Sequence, residues 1–123
     1  MKANELMIGD WVRLVADDSN ECLQVSYVRH DGVGFKQYSH FFDEIEPIPL
    51  TEEILKANGF EYREFTSGES MHYNHSVTVY LNKDGDIFML IGGEQRWMKY
   101  VHELQQALRL CGLNELAENF RIA

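Results

Sequence analysis

The sequence predicts an α+β fold with antiparallel sheets, and two kinds of pattern predict it. Short segments rich in β-branched and aromatic residues, separated by turn residues, occupy most of the chain before Trp97. Two apolar stretches repeat with helical spacing instead, a short one after Thr51 and a long one over residues 97–112. We therefore expect a small N-terminal antiparallel sheet, a short linking helix, and a C-terminal antiparallel β-meander covered by a long C-terminal helix.

Composition limits the size and class of the protein. The 123 residues, of which 45% are hydrophobic, fit a single folded domain, with one lobe over residues 1–46 and a second over residues 47–123. The 20 acidic and 11 basic residues give a net charge of −9, which repels nucleic acid phosphates unless the basic residues cluster. No apolar run approaches the roughly 20 residues that cross a bilayer, and the N-terminus lacks the apolar core of a signal peptide. These features predict a cytoplasmic protein that does not bind membranes.

Closely spaced strands are predicted in the N-terminal lobe. Gly9 and Asp10 form a turn signal ahead of the first strand, and Asp31 with Gly32 marks a tight hairpin. The predicted strands are residues 11–16, 22–29, 33–38 and 41–45. The opening Gly-Asp-Trp-Val, followed by alternating strands and turns, resembles the first strands of SH3-like barrels. This resemblance implies a small, strongly bent SH3-like sheet over the first lobe.

A short helix is predicted to link the two lobes. Pro47 and Pro49 keep the backbone extended ahead of it, because proline disfavours helix at the residue before it. Thr51 is a suitable N-cap, and Gly59 ends the helix after about two turns. The strands of the meander are then predicted at residues 60–65, 71–81 and 87–91, with an Asp-Gly hairpin turn over residues 82–86.

The long C-terminal helix is predicted from one apolar stripe. Its members recur every three or four residues, which places them on one side of a helix: Trp97, Val101, Leu104, Leu108 and Cys111. The polar residues between them are expected on the other faces, and Gly112 suits the position after the last helical turn. Residues 113–123 have the spacing of a second, short helix that folds back.

No nucleophile is assigned, and we do not expect an enzyme. Cys111 closes the apolar stripe, where a buried thiol is inert, and Glu21 beside Cys22 raises the pKa of its thiol. Ser70 and Ser76 lack the turn context of a nucleophilic serine. Both cysteines are interpreted as reduced thiols in a reducing cytosol.

His72 and His75 are the first candidates for a metal site. Residues three positions apart in a strand point to opposite faces, so this pair chelates a metal only across a bulge or turn. The loop of residues 82–86 resembles a calcium loop but lacks its closing glutamate. Gly92 and Gly93 before a helix suit an anion, but the charge of Glu94 has the wrong sign. We therefore predict no metal ligands and no cofactor.

Aromatic residues are unusually dense in one short stretch, which makes it the candidate binding site. Tyr38, His40, Phe41 and Phe42 exceed what one short edge strand buries, so part of this set is expected to form an exposed patch for a protein partner. Direct nucleic acid binding is not expected, because a stacking surface for single strands needs flanking cations and the carboxylates of residues 43–46 oppose them.

Three segments resemble a family of small uncharacterised proteins from Bacteroides and its relatives, often found near phage or other mobile elements. The segments that carry the resemblance are NELMIGDWV, IEPIPLTEEILKANGF and YVHELQQALRLCGL. The resemblance implies a bacterial, cytoplasmic origin with a link to phage or mobile elements. It carries over no activity, cofactor or site residue.

We consider three functions, in order of preference. The first is a non-catalytic bacterial or phage accessory protein that acts by binding another protein. The second is an acidic nucleic acid mimic that inhibits a host DNA-binding protein, which requires many carboxylates on one face. The third is a small metal-dependent hydrolase, which requires His72, His75 and an acid to converge in a cleft. An unpaired edge strand, or apolar surface left on the long helix, also allows a homodimer.

Overall fold

The computed structural model describes residues 5–15, 21–36, 38–74 and 77–122, which form three antiparallel sheets and three short α-helices. The predicted α+β class with antiparallel sheets is therefore confirmed. The chain separates into two compact units, unit 1 with Met1–Pro49 and Tyr100–Phe120, and unit 2 with Leu50–Lys99 and Arg121–Ala123. The C-terminal helices belong with unit 1, whereas the division drawn from the sequence placed them in the second lobe. Within the described ranges, no helix is long and apolar enough to cross a membrane.

Unit 1 contains two three-stranded sheets in which neighbouring strands are antiparallel. The first sheet has, in order across it, β2 (Cys22–Gln24), β1 (Trp11–Leu14) and β6 (Ile45–Pro47). The second sheet has, in order, β3 (Tyr27–Val28), β4 (Gly32–Phe35) and β5 (Tyr38–Phe41). A single 3-10 turn, Phe42–Glu44, connects β5 to β6. The buried core between these elements contains Leu6, Val12, Val25, Val33, Phe35 and Ile45.

Three predicted strands of the first lobe are divided differently in the structure. The segment 22–29 changes partners midway, because the Val25 amide donates to the Asp10 carbonyl at 2.8 Å and the Ser26 amide donates to the Gly34 carbonyl at 2.7 Å. The predicted strand 33–38 is interrupted at Lys36, whose φ of 56° is left-handed. The predicted strand 41–45 was wrong, since the 3-10 turn occupies most of it.

The long C-terminal helix was also wrong in its length. Helix α2 covers the ten residues Val101–Leu110, and α3 covers Asn114–Glu118. Trp97 lies in a strand instead, because Gly92 and Gly93 adopt left-handed φ values of 61° and 84° and reverse the chain before it. Of the predicted stripe, Val101, Leu104 and Leu108 are buried on α2. Cys111 is exposed at the C-cap.

Polar side chains of α2 form hydrogen bonds with the segment around the start of β1. Gln105 is fully buried, and its side-chain oxygen accepts from the Trp11 amide at 2.9 Å. Its side-chain amide donates to the carbonyls of Gly9 at 2.8 Å and Ala117 at 3.0 Å. Gln105 therefore joins three segments of unit 1 through one side chain.

An ion pair lies beside Gln105. The carboxylate of Asp10 is fully buried and accepts from Arg109 Nη1 at 2.6 Å, from Gln106 Nε2 at 2.8 Å and from the Met7 amide at 2.9 Å. These donors compensate the loss of hydration that burial of a charge entails. We refer to Asp10, Gln105, Gln106 and Arg109 as the polar cluster.

Unit 2 contains one helix and a five-stranded antiparallel sheet. Helix α1, Glu52–Ala57, is the predicted linking helix, with Thr51 Oγ1 accepting from the Ile54 amide at 3.3 Å. The sheet has, in order, β11 (Glu94–Met98), β10 (Ile87–Ile91), β9 (Val77–Leu81), β8 (Ser70–Asn74) and β7 (Glu61–Glu64). The predicted strand 71–81 is two paired strands, in which Asn74 lies opposite Val77.

His72 is a buried polar side chain of unit 2. It has no solvent exposure, neither ring nitrogen has a hydrogen-bond partner within the described chain, and its ring lies 5.0 Å from that of Tyr62. Burial lowers the pKa of His72, an effect that Glu52 opposes and Lys56 reinforces. The imidazole is therefore held in its neutral form by its surroundings.

Arg109→Ala is expected to destabilise the fold by about 3 kcal/mol, because it leaves the buried Asp10 carboxylate without its positively charged partner. Arg29→Ala is the matched control. It removes a 3.6 Å ion pair with Asp31 whose side chains are 42% and 43% exposed, so a loss below about 1 kcal/mol is expected. Urea unfolding followed by circular dichroism measures both variants. Equal losses would contradict a dependence of the fold on the buried pair.

Acidification from about pH 7.5 to about pH 5.5 is expected to lower the thermal midpoint. Folding lowers the pKa of His72, so the unfolded chain binds the proton more readily, and stability is lost as the pH falls below about 6.5. His72→Phe should lose less stability over this range than the parent protein does. Calorimetry at both pH values tests this, with the exposed His30→Gln as control. An unchanged pH dependence in His72→Phe would refute it.

Candidate functional site

A groove of about 670 Å³ opens on unit 1. Its walls come from three segments, namely residues 8–11, residues 21–26, and the hairpin that joins β4 to β5. The volume lies in the range of pockets that receive small molecules or side chains of a partner. Because the three segments are distant in sequence, the groove exists only when unit 1 is folded.

Aromatic and aliphatic side chains line the interior of the groove. Trp11, Leu23 and Phe35 contribute to its walls. The indole nitrogen of Trp11 donates to the Phe120 carbonyl at 2.7 Å, and its backbone amide donates to Gln105 in the polar cluster. These bonds restrict the motion of the Trp11 indole. A ligand that binds beside it therefore orders this side chain at little further cost in conformational entropy.

Two charges of opposite sign lie at the groove. Glu21 and Lys36 are both exposed and both belong to its lining. The left-handed conformation of Lys36 costs a residue with a Cβ atom about 1 kcal/mol, and its amide donates to Ser26 Oγ at 3.1 Å. An apolar interior with a polar rim is the usual composition of a protein-binding surface.

The two cysteines differ in their surroundings. Cys22 lines the groove, where burial raises the pKa of its thiol and the positive charge of Arg13 opposes that effect. Its thiol is therefore protonated at neutral pH. The sequence analysis also expected a raised pKa, but from the charge of Glu21 and not from burial. Cys111 is exposed, which corrects its predicted burial, because α2 ends at Leu110 before the stripe is complete.

The four predicted binding residues do not form one patch. Tyr38 is 67% exposed and lines the groove, while Phe41 is 56% exposed three residues further along β5, where strand geometry directs it to the other face. Phe42 packs against the core of unit 1. His40 is half-buried, with its ring 5.6 Å from that of Phe35.

Two arginines of unit 1 form ion pairs with carboxylates. Arg13 Nε lies 2.7 Å from Glu46, and Arg29 Nε lies 3.6 Å from Asp31. A nucleic acid backbone competes with these carboxylates for the same cations, which disfavours it as a ligand of this surface.

The candidate metal and anion sites receive no support from the geometry. His72 is buried, His75 lies outside the described residues, and no group of three or more metal-ligating side chains occurs in the described part of the chain. In the loop of residues 82–86, the Asn82 side chain accepts from the amides of Asp84 and Asp86 at 3.0 and 2.9 Å, as a hairpin turn requires. The Gly92–Gly93 pair precedes a strand, so the expectation of a helix directly after it was wrong.

A row of aromatic rings crosses the sheet of unit 2, and the sequence analysis did not predict it. Phe88 on β10 pairs with Tyr80 on β9 and Trp97 on β11, at ring distances of 5.2 and 4.8 Å. Trp97 is 51% exposed. A sequence signal for this arrangement existed, because Gly92–Gly93 directly after a short apolar segment is typical of a hairpin turn.

Comparison of the chain with protein-family models, with curated proteins and with solved structures gives no match in any of the three. Among the described side chains, those of the groove combine two features that favour binding, namely a restrained aromatic wall and a charged rim.

Cys111 is expected to react with N-ethylmaleimide several-fold faster than Cys22, because Cys111 is exposed and burial raises the pKa of the Cys22 thiol. Mass spectrometry of Cys22→Ser and Cys111→Ser, each with one remaining cysteine, measures the two rates separately. Equal rates would show that the groove does not protect Cys22.

Proposed function

We propose that the protein is a non-catalytic bacterial or phage accessory protein, and that the groove of unit 1 binds a segment of another protein. The observation that carries this proposal is the restrained Trp11 indole in a groove of about 670 Å³. A rigid aromatic wall contributes contact area at low entropic cost, which is why such residues dominate the energetics of protein interfaces. Glu21 and Lys36 at the rim would set the orientation of the bound segment.

We further propose that the first lobe, residues 1–46, is an SH3-like variant. Support comes from β1, which pairs with both β2 and β6, and from the 3-10 turn immediately before β6. Domains of this type bind extended peptides in aromatic grooves, which agrees with a groove lined by Trp11 and Tyr38. An extended apolar segment of a partner protein is therefore the proposed ligand.

The setting of this function is proposed from the resemblance to small Bacteroides proteins. It supports a cytoplasmic role connected with phage or mobile elements. The net charge of −9 favours a basic partner, because complementary charge speeds encounter and suppresses association with acidic proteins. The same charge supports the second candidate, an acidic nucleic acid mimic bound to a host DNA-binding protein.

The groove is tested by an affinity pull-down of the tagged protein from host lysate, followed by mass spectrometry. Tyr38→Ser is expected to lower recovery of the partner about tenfold, because it truncates an aromatic group in the groove. Phe41→Ser is the matched control, since it truncates another exposed aromatic residue on the other face of the same strand.

Three outcomes of the pull-down are informative. Loss of the partner with Tyr38→Ser alone, unaffected by nuclease, supports binding through the groove. Equal loss with both variants would contradict it. A DNA-binding partner that is released by moderate salt in every variant would favour the nucleic acid mimic, because interactions between exposed charges are screened by salt.

A further inference from the structure

A second, smaller cleft of about 250 Å³ lies in unit 1, where Glu5 and β6 border the first turns of α2. Two hydrogen bonds hold its sides together. The Val101 amide donates to the Ile48 carbonyl at 2.9 Å, and Gln106 Nε2 donates to the Glu5 carbonyl at 2.8 Å. The lining consists of Glu5, Pro47, Tyr100, His102, Glu103 and Gln106.

His102 lines this cleft and has an unsatisfied ring nitrogen. The residue is only 6% exposed, and its buried Nδ1 has no hydrogen-bond partner within the described chain. Native proteins pair nearly all such atoms, so an unpaired one points to a donor supplied from outside the chain. The Tyr100 ring lies parallel to the imidazole at 5.9 Å and restricts its orientation.

Burial, not the neighbouring charge, keeps His102 able to accept a hydrogen bond. Burial lowers the pKa of His102, and this effect is opposed by the carboxylates of Asp10, Glu103 and Glu5. A neutral imidazole offers a lone pair on one nitrogen, whereas a protonated imidazole offers none.

The carboxylates at the cleft differ in their existing partners. Asp10 is neutralised by Arg109 at 2.6 Å. The Glu5 side chain is exposed, and one oxygen of Glu103 accepts from the Tyr100 amide at 3.1 Å. Among the described residues, the lining of the cleft thus includes two carboxylates and no lysine or arginine.

We propose that this cleft binds a primary ammonium group, carried by an alkylamine or by a lysine side chain. An ammonium has three N–H donors, which match the carboxylates of Glu5 and Glu103 and the Nδ1 atom of His102. A planar guanidinium prefers two parallel bonds to one carboxylate and matches this set less well. The Tyr100 ring and Pro47 provide contact for the methylene groups, and the ring also attracts the cation. The proposal does not depend on the groove.

The test is an NMR titration of the whole ¹⁵N-labelled protein with n-butylammonium, with n-butanol as the uncharged control of similar shape. Shifts at residues 100–106 are expected with the amine alone. Glu5→Gln should weaken binding about fivefold, whereas Glu115→Gln, which changes another exposed glutamate, on α3, should not. His102→Phe keeps the stacked ring but removes the acceptor, so it should weaken binding about tenfold without loss of stability.

Capped lysine and capped norleucine then distinguish the source of the ammonium. Binding of capped lysine, but not of capped norleucine, assigns the cleft to a lysine side chain of a partner. Binding of n-butylammonium without capped lysine assigns it to a small amine. The proposal is overturned if n-butanol gives the same shifts, if neither cation binds, or if Glu115→Gln weakens binding as much as Glu5→Gln.

Discussion

The buried carboxylate of Asp10 is the constraint on which unit 1 depends. It is bound by Arg109 and Gln106 of α2, and the neighbouring Gln105 fixes the backbone on either side of it. A small displacement between apolar surfaces costs little free energy. A buried carboxylate, in contrast, is destabilising when its hydrogen-bond donors move away from it. The polar cluster therefore sets the position of α2 relative to β1, and with it the Trp11 wall of the groove.

Local signals in the sequence predicted the parts of the fold that local interactions determine. The cap at Thr51, the hairpin of residues 82–86 and the antiparallel strands are of this kind. Trp97 shows the limit of such signals. It has the correct spacing to continue α2, yet pairing with Phe88 on β10 gives it a strand conformation, because tertiary contacts outweigh an intrinsic preference.

The candidate site was predictable only in part. Tyr38 was identified from aromatic density, but the same density included Phe42, which packs in the core. The remaining groove walls come from separate segments, and no periodicity relates Trp11 to Phe35. His102 and Gln105 were expected at the surface of a helix. Gln105 is buried because it pairs with backbone groups of other segments, and a pattern of polar residues along the helix does not predict such pairing.

Unit 1 is assembled from two stretches of chain with unit 2 inserted between them, and this order has a consequence for synthesis on the ribosome. Strands β1 to β6 emerge first, while the partners that α2 and the segment after it supply to Asp10 and Trp11 follow only after the 50 residues from Leu50 to Lys99 have been translated. By then all of unit 2 except its last residues has been translated, whereas unit 1 still lacks Tyr100–Phe120. A nascent or prematurely terminated chain therefore lacks a finished groove until translation has reached the C-terminal helices.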